Sequence, residues 1–102
     1  MTRSFTQDDM DTFGLVSGAT GLIHTEPDYA ATTRFGATLV PGILLAALVQ
    51  QALPDGWSAL DLRFVAPVRA GTPFEVVVTP GEDGYTVEGR TPDGPAVVGT
   101  AG

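Results

Sequence analysis

Between Pro41 and Pro54 runs Gly42-Ile-Leu-Leu-Ala-Ala-Leu-Val-Gln-Gln-Ala-Leu53, a helical stretch that is apolar nearly all round. Such a helix has no place on a surface and predicts burial on most of its sides. Its apolar run at 43–49 is far too short to cross a bilayer. The chain has 102 residues, room for one ordinary domain, so the enclosing structure must come from what flanks the helix. After Pro54 the hydrophobic period changes to two. Leu60, Leu62 and Phe64 point one way, Asp61 and Arg63 the other, as a half-buried strand requires. Further strands are expected over 74–79, 85–90 and 96–101, separated by Pro80-Gly-Glu-Asp-Gly84 and Pro92-Asp-Gly-Pro95. The order predicts an α+β fold, with one domain over residues 1–102 and an antiparallel sheet wrapped around one long helix.

The first forty residues carry weaker signals. Thr6-Gln-Asp-Asp9 has the spacing of a capping box. A short helix then follows, with Met10, Phe13, Leu15 and Val16 on its inner side and a stop near Gly18. Thr25 fits the N-cap of a second short helix, with Pro27 early in it, Gly36 just past its end, and Tyr29 and Phe35 as apolar anchors. Over 17–24 a strand is only faintly indicated. Gly18, Ala19, Thr20 and Gly21 read better as a loop that lets a ligand approach the backbone.

Charge removes several functions. Five cationic side chains, all Arg, against twelve acidic ones give a net charge of −7. A surface of that sign does not bind nucleic acid through phosphate, nor dock on an anionic membrane. The chain has no Cys, so disulfides, thiolate metal sites and a cysteine nucleophile are excluded. With a single His, no metal site is expected either. The dinucleotide fingerprint, the P-loop and the GxSxG elbow are all missing, so no cofactor is expected. Residues 1–20 lack a basic start and an apolar core, because Asp8, Asp9 and Asp11 come early. The expectation is a cytoplasmic protein acting on a small molecule.

Few residues remain to carry chemistry. His24 is the only histidine, beside the small-residue loop. Read from spacing alone, it is either a proton-transfer group or an ordinary structural histidine. Gly42 opens the apolar helix, whose free amides suit an anion or a developing oxyanion. The plainer reading is a glycine that follows a proline turn and packs closely. Gln50 lies about two turns further along, where it contacts a ligand or marks an exposed edge. The arginines beyond Arg3 are either anion partners or solvated surface.

Four stretches together are similar to a known family. These are Phe13-Gly-Leu-Val-Ser-Gly18, Ile23-His-Thr-Glu-Pro-Asp-Tyr-Ala-Ala-Thr-Thr-Arg-Phe35, Val40-Pro-Gly-Ile-Leu-Leu-Ala-Ala-Leu48 and Leu62-Arg-Phe-Val-Ala-Pro-Val-Arg-Ala-Gly71. In this order they resemble the MaoC-like dehydratases and the (R)-specific enoyl-CoA hydratases of the hot-dog fold. The resemblance implies a single hot-dog domain that pairs as a homodimer. It also implies a site in which an Asp and a His activate water for addition to an enoyl thioester, while the helix N-terminal amide holds the thioester oxyanion. By position the His is His24 and the amide is that of Gly42. Five positions of the site depart from the family. Its Asp is Ala19, its Asn-Pro pair is Gly21-Leu22, the His before the helix glycine is Pro41, and a small hydroxyl residue on the helix is Gln50. Asp28 and Glu26 should face outward and not replace the missing acid.

Such changes imply a drier pocket around a single base, suited to dehydration, isomerisation or ring closure of a small or polyketide-like substrate in secondary metabolism. In this reading Ala19, Gly21, Leu22, Pro41 and Gln50 line the substrate. An acidic surface holds the phosphates of CoA poorly, which favours a free substrate over a thioester-bound one. Two alternatives stand beside it: a conventional (R)-hydratase or dehydratase of acyl thioesters, and a non-catalytic ligand-binding or partner subunit.

Overall fold

The computed structural model describes residues 1–18 and 20–102; Ala19 lies outside the described residues. A two-residue strand, β1 (Thr2–Arg3), comes first, a feature with no sequence signal. The capping box then forms as its spacing requires. Thr6 Oγ1 accepts from the Asp9 N–H at 3.1 Å, and the Asp9 carboxylate accepts from the Thr6 N–H at 2.9 Å, opening α1 (Gln7–Ser17). Gly18 closes it at φ 79°, a left-handed conformation that costs glycine no Cβ clash. Met10 and Gly14 form its buried stripe. Leu15 and Val16, expected inside, are instead 87% and 84% exposed. At 100° per residue they fall on the side away from Met10.

The helix expected from Thr25 to just before Gly36 is shorter, and a further, unexpected helix ends at Thr25 itself. α2 (Leu22–Thr25) and α3 (Pro27–Ala31) are separated by Glu26, whose φ −119° and ψ 94° are extended. The proline ring of Pro27 disfavours helical geometry at the residue before it, which sets the break. Thr25 therefore ends a helix and caps none; its hydroxyl donates back to Gly21 O at 3.2 Å. Ala30 is the buried anchor of α3, whereas Tyr29, expected to anchor it, is exposed.

α4 (Gly42–Ala52) begins after Pro41 and stops at Leu53, before Pro54. Leu45, Leu48 and Val49 pack into the main core with Met10, Val68, Phe74, Val76, Val87 and Val97. The helix is not enclosed on most sides in a single chain, because Ile43 is 65% exposed and Ala47 and Gln50 face solvent. β2 (Leu60–Phe64), β3 (Phe74–Gly81), β4 (Gly84–Thr91) and β5 (Gly94–Ala101) complete one antiparallel sheet in the order β1-β3-β4-β5-β2. The last three strands run slightly longer than the expected 74–79, 85–90 and 96–101. α4 lies against β3, so the strand and helix signals meet in one core. Leu60 and Leu62 pack against that core; Phe64, expected on the same side, is 52% exposed at the end of the edge strand.

Candidate active site

His24 sits near the end of α2, and its backbone N–H bonds to Gly21 O at 2.9 Å. Its ring is half-buried, with Nδ1 2.8 Å from the carbonyl oxygen of Leu39. A carbonyl only accepts, so Nδ1 is the nitrogen that carries the proton in the neutral ring. Nε2 is then left with its lone pair and, among the described residues, with no hydrogen-bond partner. Fixing one tautomer in this way prepares an imidazole to take a proton at a defined atom. Gly21 backs the ring, since a Cβ there would stand 3.7 Å from His24 Cδ2, at ordinary contact distance.

The carbonyl that holds the ring also leads to the helix. Leu39 N–H donates to Ile23 O at 3.0 Å, and Val40 N–H to Val68 O at 2.8 Å. Leu39 is further tied to the sheet side of the chain by a bridge to Arg69. Pro41 follows, buried, and then Gly42, three residues from Leu39 and at most about 10 Å further along an extended chain. α4 has no side-chain cap, so the first amides of the helix, those of Gly42 and Ile43, have no intrahelical acceptor. They present the positive end of an eleven-residue helix to whatever lies in front. The Phe64 ring closes one side of this opening, 3.3 Å from where a Gly42 Cβ would be.

The remaining expected residues are placed less centrally. Leu22 is 54% exposed on α2. Gln50 stands on the exposed side of α4, about 12 Å along its axis from Gly42. Glu26 and Asp28 face solvent, as expected, and supply no acid to the ring. Ala19, expected from the resemblance to stand where the family has its Asp, lies outside the described residues, and its methyl side chain cannot ionise. An apolar groove of about 370 Å³ lies between α1 and the first turn of α4, between Phe5, Phe13, Val16 and Leu44, and includes neither His24 nor Gly42. Among the described residues no cluster of His, Asp and Glu is set to hold a metal ion, and no helix is long and apolar enough to cross a membrane. Sequence reasoning missed Gln7 and Thr38, which hydrogen-bond around the His24 turn. Neither stands in a motif that signals such a role.

One helix against a five-stranded antiparallel sheet in this strand order, with short helices ahead of it, defines a hot-dog protein. The model of the MaoC like domain matches residues 1–91, and the chain belongs to that family. Among solved structures it is similar to the (R)-hydratase from A. caviae involved in PHA biosynthesis, at 29% identity and TM-score 0.83, over 99% of this chain and 88% of that one. It is similar also to the R-hydratase PhaJ1 from Pseudomonas aeruginosa, at 27% identity and TM-score 0.83, over 99% and 74% of the two chains. Protein af1124 from Archaeoglobus fulgidus matches at 30% identity and TM-score 0.78, over 99% and 71%. Among curated proteins, no sequence matches the chain.

Proposed function

We propose that the protein is a lyase or cyclase of the MaoC-like group that works with one base. The observation that carries this reading is the Nδ1–H···O=C bond from His24 to Leu39, which leaves Nε2 free as the proton acceptor. In this reading His24 Nε2 removes a proton from the carbon next to a carbonyl or thioester. The Gly42 N–H donates to the carbonyl oxygen as negative charge gathers there. The same imidazolium then returns its proton to the departing hydroxyl, to another carbon, or to the alkoxide left when the enolate carbon closes a ring onto a second carbonyl. These outcomes correspond to dehydration, double-bond migration and cyclisation. The substrate is a small acyl or polyketide-like molecule, bordered by Gly21, Leu22 and Pro41 and reached by Gln50. The working unit is a homodimer, in which a second copy covers what a single chain leaves open around α4.

Hydration of an acyl thioester is the second reading. Its support is the likeness to two (R)-hydratases over nearly the whole chain. Against it stands Ala19, which cannot share water activation with His24, and one such group is typically worth about 10²–10⁴-fold in rate. Crotonyl-CoA hydration by the purified protein, with His24→Ala alongside, separates the two. Little or no hydration is expected. Clear turnover lost by at least about 10²-fold in His24→Ala would establish the hydratase instead.

A further inference from the structure

The His24 turn is held from outside itself. Gln7, the first residue of α1, reaches across 17 positions of sequence and donates from Nε2 to the His24 carbonyl oxygen at 2.9 Å. The same nitrogen donates to Asp11 Oδ1 at 2.9 Å, and Oε1 accepts from the Thr38 hydroxyl at 2.7 Å. A peptide carbonyl and a carboxylate only accept, so the amide can face them with its nitrogen alone. Its oxygen is thereby directed at Thr38, which is 3% exposed and lies next to Leu39, the residue that holds the imidazole.

We propose that Gln7, together with Thr38, is a positioning residue for His24. The proposal rests on the reading of His24 as the base. One amide joins both attachments of the ring: the His24 main chain directly, and the Leu39 carbonyl through its neighbour Thr38. The Thr38 backbone is itself fixed, with its carbonyl accepting from Ala70 N–H at 3.0 Å. If the amide is lost, the distance from Nδ1 to Leu39 O is no longer set, and with it the preference for a proton on Nδ1. The sequence supports a specific need for an amide. Position 7 opens a helix, where a carboxylate would be favoured by the helix dipole, and the next two residues are acidic. A Glu at this position would set its carboxylate against the His24 carbonyl and the Asp11 carboxylate. A neutral donor is required there.

The test uses the fact that His24 is the only histidine, so one imidazole gives the whole ring ¹⁵N spectrum. With the ring in its neutral form, the wild type is expected to hold its proton on Nδ1. Gln7→Ala and Gln7→Glu should each move the two ring nitrogens toward a tautomer mixture. Thr38→Val should do the same, and Thr38→Ser should keep the wild-type pattern. Any turnover found for the wild type should fall about ten-fold in kcat with KM unchanged. Circular dichroism confirms the fold, and Gln7→Glu, favoured at a helix start, guards against its loss. An unchanged ring spectrum in folded Gln7→Ala and Gln7→Glu overturns the proposal. A wild type without the Nδ1–H tautomer overturns it together with the base reading. Retention of that tautomer with its loss in the variants, in a protein that turns over no substrate, sustains the positioning role and counts against the lyase reading alone.

Discussion

Two glycines show how differently single positions bear on this molecule. A Cβ at Gly42 would come within 3.3 Å of the Phe64 ring, which is 52% exposed and free to move by a few tenths of an ångström. Alanine's advantage in a helix, about 0.5–1 kcal/mol over glycine, offsets that adjustment. Gly42→Ala should therefore leave the thermal midpoint within a few degrees, while an activity that uses the Gly42 amide drops, because a methyl now stands at the helix opening. Equal loss of stability and activity would count against the oxyanion role. At Gly89 the Cβ would lie 2.2 Å from Phe74 Cζ, and Phe74 is fully buried. Its ring has nowhere to go, so Gly89→Ala should cost about 2–3 kcal/mol in urea unfolding. His24 and Gly42 were legible in the sequence, since one is the sole histidine and the other opens the apolar helix. Gln7 was not legible: its partners His24 and Thr38 stand 17 and 31 residues away, and the amide has no motif.

At the level of elements, local chemistry was readable and tertiary pairing was not. The capping box, the glycine stop of α1 and the turn-bounded strands β3 to β5 all depend on neighbours in sequence, and each formed where its residues indicated. β1 is a strand only because Thr2 and Arg3 pair with Glu75 and Phe74, a contact that no local pattern announces. The cap itself makes a pH prediction. The Asp9 carboxyl is held below the ordinary carboxylate range, first by the Thr6 backbone N–H, then by the Thr6 hydroxyl and nearby Arg3. A depressed folded-state value contributes stability above the unfolded value, about 3.9 for Asp, which is lost as pH falls through the folded one. Asp9→Asn should thus lower the thermal midpoint near neutrality, and the gap from wild type should close as the solution is acidified below about pH 4. A gap that stays constant to the lowest pH would place the effect elsewhere in the turn.

The sheet is open at both ends, at the two-residue β1 and at β2, and beside β2 lies an uncovered apolar rim. β2 pairs with β5 on one side only, and an unpaired edge is a template for another strand. Phe64 and Val65 at its end are 52% and 55% exposed, and Ile43, next to the Gly42 whose Cβ position the Phe64 ring faces, is 65% exposed. A two-fold copy that pairs β2 with its own β2 would join two five-stranded sheets into one and cover this rim from both sides. Light scattering is therefore expected to give a dimer. Val65→Asp should split it, because a two-fold axis sets each new carboxylate near its own copy, and it leaves the Phe64 ring over Gly42 in place. A dimer unaffected by Val65→Asp would put the interface on another face. Charge supplies an independent check. Each chain carries −7, so two copies repel as they approach, and added salt screens that repulsion. The dimer should tighten as ionic strength rises from low salt, opposite to an interface built on ion pairs. Weakening with salt would show that arginines such as Arg63, on the same edge strand, hold the copies together instead of the apolar rim.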